Sequence, residues 1–129
     1  MDTRYLIDTN VIIHFLGGMF SKSTNEWLEK IIDDNLTNIS VINQIEVLGF
    51  DGQLQEMQVL KEFISILNII PLSENIVEET IQLRKQFKVK LPDAIIAATA
   101  LQHNLTIITQ NIKDFRRIPN ISIVNAHDK

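Results

Sequence analysis

The chain has 129 residues, of which 45% are apolar, a net charge of −4 and no cysteine. That is enough for one domain (1–129) with a core of its own and too little for two; it excludes disulfide scaffolds, zinc–thiolate sites and proteins that coat nucleic acid by bulk positive charge. No apolar run approaches the roughly 20 residues that span a bilayer, and Asp8, Asn10 and His14 interrupt the amino-terminal apolar patch with no small-residue cleavage site behind it, so a globular, cytoplasmic protein without membrane association is expected.

Short β-like runs alternate with helical patterns, which predicts an α/β fold with a parallel sheet. Residues 5–7 read as the first strand. A helix then starts at Thr9 or Asn10 and stops at Gly17-Gly18. Ser23 or Thr24 is expected to cap a second helix to Asp33, with Trp27, Leu28, Ile31 and Ile32 as its apolar stripe. Residues 38–41 form the second predicted strand, and a helix covers 42–50. Beyond Gly52 a helix over 54–67 repeats Met57, Leu60, Phe63, Ile64 and Leu67 at helical spacing. A strand at 68–70 is closed by Pro71. Ser73 with Asn75 begins a helix that carries Glu78 and Glu79 in its early turns and runs to Phe87. Leu91-Pro92-Asp93 opens a helix over 94–103 that is apolar nearly all round and therefore buried. Residues 105–109 and 121–124 complete the strands, with a polar turn between them.

Four acids stand at the ends of these apolar elements. Asp8 follows the first strand and precedes a helix; capping explains it as well as a site role does. Glu46 shares a helix face with Ile42, Ile45 and Gly49, a face expected to pack inward. A buried carboxylate there needs a cation, a set of donors or a proton, or else a partner such as Arg4. Asp93 sits just after Pro92 in the first turn of the most buried helix, where a favourable helix dipole is the alternative account. After the strand ending at Thr109, either Asn111 or Asp114 can project over the same edge, or both simply belong to a turn. Open α/β sheets place their chemistry at the carboxyl edge of the strands. Acids gathered there repel one another unless a cation compensates, and hard oxygen ligands select Mg²⁺ or Mn²⁺. The three histidines lack metal-ligand spacing. Seven of the twelve basic residues flank two of the acids: Arg84, Lys85, Lys88 and Lys90 near Asp93, then Lys113, Arg116 and Arg117 near Asp114. They read as a solvated surface or as edges that hold phosphates.

Four stretches together resemble a PIN domain: Leu6-Ile-Asp-Thr-Asn-Val-Ile-Ile, Ile39-Ser-Val-Ile-Asn-Gln-Ile-Glu-Val-Leu-Gly, Leu91-Pro-Asp-Ala-Ile-Ile-Ala-Ala-Thr-Ala-Leu and Ile108-Thr-Gln-Asn-Ile-Lys-Asp-Phe. They match in order and spacing along almost the whole chain, and the compact size resembles the VapC-type toxin ribonucleases of bacterial toxin–antitoxin pairs. The resemblance implies a three-layer fold, with a mostly parallel sheet of four to five strands flanked by helices. It carries over Asp8, Glu46 and Asp93 as core acids, with Asp114 favoured over Asn111 as a fourth. Thr9 and Thr109 are similar to the family's hydroxyl residues beside the metal, and Asn10 and Asn111 stand next to them. The implied activity is Mg²⁺- or Mn²⁺-dependent endonucleolytic cleavage of RNA; the implied partners are an antitoxin in the cleft and a second copy of the chain. A non-catalytic PIN-fold scaffold is the alternative. A phosphoacceptor receiver domain fits poorly because the first strand supplies only Asp8 and the third ends in Pro71. A haloacid-dehalogenase phosphatase fits poorly because Asn10 stands where its second aspartate belongs.

Overall fold

The first strand carries the sheet from its centre. In a computed structural model, which describes residues 2–129, β1 (Tyr5–Ile7) lies between β2 (Thr37–Ser40) and β4 (Thr106–Thr109), pairing parallel with both. β3 (Asn68–Ile70) adds outside β2 and β5 (Ser122–Asn125) outside β4, also parallel, giving the order β3-β2-β1-β4-β5. The chain winds outward from β1 to β3, then crosses back to β4. The strand order therefore reverses between β1 and β4, and their carboxyl ends flank the crevice where such sheets bind ligands.

Successive strand residues point to opposite faces, so Leu6 and Ile107 enter one core while Ile7, Ile39 and Ile108 enter the other. The first core is closed by α5 (Glu74–Gln86), through Ile76 and Leu83, and by α6 (Leu91–His103), whose residues from Ala94 to Ala100 are all buried. The second is closed by α1 (Thr9–Leu16), α2 (Lys22–Asp33), α3 (Val41–Leu48) and α4 (Leu54–Ser65). β2 and β4 are buried along their whole length, as the inner strands of a parallel sheet covered on both faces are, with buried Thr and Ser among their apolar residues. Gly17 caps α1 and Gly18 takes the left-handed φ of 69° that ends it cleanly. Asn104, at φ 55°, does the same for α6.

The predicted elements stand within a few residues of the observed ones, with three differences. The α2 cap is Ser21, whose hydroxyl accepts from the Thr24 N–H, rather than Ser23 or Thr24. Residues expected to form only a turn contain a short helix, α7 (Ile112–Phe115). Four residues are too few for a hydrophobic period; Phe115, fully buried against α6 and Ile118, holds the turn in helical form. A 3₁₀ turn at Ala126–Asp128 also follows β5, and its Ala126 carbonyl accepts from the buried Thr24 hydroxyl at 3.2 Å. No helix among the described residues is long and apolar enough to cross a membrane.

Candidate active site

Asp8 leaves β1 at the point where the strand order reverses. Its N–H donates to the Ile108 carbonyl of β4 at 3.0 Å, which fixes the backbone there. Its side chain does cap α1: Oδ1 accepts from the Thr9 N–H at 2.9 Å. The other oxygen, Oδ2, accepts from the Thr109 hydroxyl at 2.9 Å, across the crevice. Thr109 is itself fully buried and accepts from the Asn111 N–H at 3.0 Å, so its single proton is directed at Asp8. Asp8 is only 7% exposed.

Glu46 reaches the same place by a different route from the one the apolar pattern suggests. Of the face expected to pack inward, only Ile42 packs against the core; Ile45 is 61% exposed, and Glu46 and Gly49 are exposed beside it. The inward residues of α3 are Asn43 and Val47. A reciprocal cap sets this phase, since the Ser40 hydroxyl accepts from the Ile42 N–H at 3.1 Å and Asn43 Oδ1 accepts from the Ser40 N–H at 2.8 Å. Glu46 leans over the rim, where its Oε1 accepts from the Thr9 hydroxyl at 2.8 Å. Arg4 is exposed ahead of β1, at the opposite edge of the sheet, and is not its partner.

Asp93 is half-buried in the first turn of α6, and Asp114 is exposed on α7. Asn111 is exposed at the start of α7, and Asn10 is exposed on α1. The acids feel one another. Burial pushes the Asp8 carboxyl above its ordinary range, the bonds from Thr109 and Thr9 oppose this, and the charges of Glu46 and Asp114 add to it. Burial pushes Asp93 from 3.8 to about 6, helped by Asp114 and Asp8, opposed by Lys90, and helped again by Glu46. The ion pairs among the described residues are Lys22–Glu26 and Lys30–Asp34 on α2, so none of the four acids belongs to one.

Among the described residues, no three histidine or carboxylate side chains form a ready-made metal cage. Donors already occupy both oxygens of Asp8 and one of Glu46. The chemistry of the set still fits a hard divalent cation: it is all carboxylate oxygen, it is negatively charged, and the chain holds no thiolate.

Two polar residues escaped the sequence reading. Asn43 donates from Nδ2 to the Thr9 hydroxyl oxygen at 3.0 Å. The available signal was an asparagine three residues after a capping serine. Gln110, next to Thr109, has Nε2 2.8 Å from His14 Nδ1 and Oε1 3.1 Å from His127 Nε2, joining α1 to the end of the chain. Local sequence held no sign of that long-range link.

The PIN domain family matches residues 5–121. The chain is also 31% identical to Ribonuclease VapC2 of Rickettsia felis over 94% of its own length and 96% of that protein's. The chain belongs to the PIN-domain family. Among solved structures, this PIN domain is similar to VapBC2 from Rickettsia felis bound to a promoter DNA fragment, with a TM-score of 0.83 and 28% identity over 95% of this chain and 98% of that one. It is also similar to a toxin–antitoxin complex from Klebsiella pneumoniae, with a TM-score of 0.75 and 34% identity over 95% of this chain and 97% of that one.

The raised Asp93 value has a consequence for stability. An acid at 3.8 unfolded and about 6 folded binds more protons in the folded state between those values. Its contribution is complete at low pH and is lost as pH rises through about 6. Melting of the metal-free protein from about pH 4 to about pH 8 is expected to show this loss, and Asp93→Asn to reduce it. Identical pH profiles for wild type and variant would contradict the assignment.

Proposed function

We propose that this PIN domain is a divalent-metal-dependent endoribonuclease, the toxin of a toxin–antitoxin pair, acting in the cytoplasm. The observation that carries the catalytic part is the buried Asp8 carboxylate at the reversal point of a parallel sheet: it feels the charges of Glu46 and Asp114, it raises Asp93 in turn, and it has no ion pair among the described residues. The VapC ribonuclease relatives and the toxin–antitoxin complexes support the biological part.

In this reading Asp8 and Asp93 would hold Mg²⁺ or Mn²⁺, with Glu46 and Asp114 beside them, and the bound ion would supply positive charge for the scissile phosphate and lower the pKa of water. The chain's own groups do the rest. The Thr9 N–H and the Thr109 hydroxyl favour the ionised form of Asp8 against its burial and fix the carboxylate in direction. Thr9 aims Glu46, which takes a proton from the attacking water. Asp93, with its carboxyl at about 6, is mostly ionised at neutral pH. RNA is held by the exposed basic groups. Arg117 donates to the Lys88 carbonyl at 2.7 Å, so the two basic clusters meet and form one surface beside Asp93 and Asp114. Phosphates of a bound strand fit such a surface. Asn10 and Asn111 are exposed beside the site and face the strand, while the buried Thr109 acts only through its bond to Asp8.

The surface also carries apolar area without an internal partner. A groove of about 360 Å³ is lined by Ile13, Leu16, Gly17, Phe50, Val59 and Leu60, with Glu56 as its one charged residue. Leu54, at 84% exposure, begins α4 and Ile66, at 64%, caps its end, and Val77 and Ile81 are exposed on α5. We assign the groove to an apolar antitoxin segment, as the complexes of the similar proteins suggest. The α5 surface is assigned to a homodimer. Light scattering on the purified chain should give a dimer that dissociates on dilution; a monomer at every concentration rules the dimer out.

Catalysis is tested by incubating total cellular RNA with the protein and Mn²⁺ or Mg²⁺. Cleavage is expected with metal, none with chelator, and a loss of about a hundredfold or more in Asp8→Asn and Asp93→Asn. Metal-dependent RNA binding without cleavage in the wild type would favour the scaffold alternative.

A further inference from the structure

We infer that Asn43 is a positioning residue that aims Glu46 through the Thr9 hydroxyl; the catalytic meaning of this rests on the endoribonuclease reading above. Nothing in the acid pattern points to Asn43. It is fully buried, on the inward face of α3, one turn before Glu46. Its amide has one donor end and one acceptor end, and the surroundings leave no choice of orientation. The Ser40 N–H can only donate, so the group facing it at 2.8 Å is the carbonyl oxygen. The NH₂ end therefore faces Thr9 Oγ1, at 3.0 Å.

That contact decides where the Thr9 proton goes. The hydroxyl has a single proton, and its oxygen is already accepting from Asn43. The proton is left to donate to Glu46 Oε1 at 2.8 Å. Without the amide, the hydroxyl is free to rotate away. Glu46 is exposed and among the described residues has no other side-chain hydrogen bond and no ion pair. A long exposed carboxylate without a tether samples many rotamers. The relay Ser40–Asn43–Thr9–Glu46 thus converts the fixed cap of α3 into a fixed direction for a carboxylate on its open face. Thr9 is adjacent to Asp8, whose Oδ1 accepts from the Thr9 N–H. One residue consequently orients two of the four acids, one through its backbone and one through its hydroxyl. The Thr109 hydroxyl repeats the device on the other side of Asp8, polarised by the Asn111 N–H instead of a side-chain amide.

The test uses Asn43→Asp, Thr9→Val, Thr9→Ser and the Asn43→Asp/Thr9→Val double variant. Asn43→Asp keeps an acceptor for the Ser40 N–H and so keeps the cap, but replaces the donor by an oxygen that draws the Thr9 proton away from Glu46. Thr9→Val removes the hydroxyl and leaves the cap in place. The first readout needs neither metal nor RNA: side-chain scalar couplings of Glu46 by NMR. One dominant rotamer is expected in the wild type and in Thr9→Ser, and averaging in Asn43→Asp and Thr9→Val. The second readout is RNA cleavage, where kcat should fall roughly 10- to 100-fold in Asn43→Asp and Thr9→Val with KM little changed, and recover in Thr9→Ser. The double variant should lose no more than Thr9→Val alone, because both changes break one relay. Glu46 couplings in Asn43→Asp equal to those of the wild type overturn the inference, whatever happens to melting temperature. A wild type that orders Glu46 but cleaves no RNA overturns the endoribonuclease reading and leaves the positioning role standing.

Discussion

Asp8 is an ionisable group 7% exposed, at the centre of a sheet, with no basic side chain paired to it among the described residues. Taking a carboxylate out of water costs several kcal/mol. The two hydrogen bonds it receives, from the Thr9 N–H and the Thr109 hydroxyl, are worth about 1.5–3 kcal/mol each as bonds to a charged group. These magnitudes are comparable, and the raised Asp8 pKa shows that burial together with the neighbouring acids outweighs them. Asp93 shows the same imbalance, with Lys90 as its one favourable charge. A fold that stabilises hydrogen-bonded but electrostatically uncompensated acids has given up stability at that edge, as functional sites commonly do.

The rest of the architecture serves this edge. The parallel order β3-β2-β1-β4-β5 puts the carboxyl ends of β1 and β4 side by side, so residues a hundred positions apart, Asp8 and Thr109, share a hydrogen bond. The nearly all-buried α6 fixes the helix start that carries Asp93. α7 holds Asp114 through the burial of Phe115 in the same core. Rigid elements thus deliver three of the acids. Glu46 and Asp114 both come from exposed helix positions, and Glu46 takes its direction from a side-chain relay.

Much of this was readable before the structure, for identifiable reasons. Short apolar runs mark β1, β3 and β4 to within a residue or so, while β2 is wholly buried although only Ile39 of its four residues is apolar. Asp8 stood out because a charge directly after such a run must lie at a strand end. The phase of α3 departs from its hydrophobic pattern: Ile45 is apolar yet 61% exposed, and Asn43 is polar yet fully buried. Hydrophobic patterning assumes that apolar means inside; a buried amide serving a cap and a hydroxyl inverts it. α7 was missed because one buried phenylalanine in a four-residue helix leaves no periodic trace. The links through Gln110 to His14 and His127 were invisible because they depend on tertiary placement alone.

Whether these acids take up a divalent cation, as proposed, is open to a direct test. Calorimetric titration of the metal-free protein with Mn²⁺ tests it, in buffers of different ionisation enthalpy, at about pH 5.5 and about pH 7.5. With the Asp93 carboxyl at about 6, binding at the lower pH must displace a proton, while at the upper pH that site is already empty of it. Proton release at the lower pH that disappears at the upper pH, together with weaker apparent affinity at the lower pH, is the predicted result. Undetectable Mn²⁺ binding at both pH values, or binding with no proton release at either, would contradict the account.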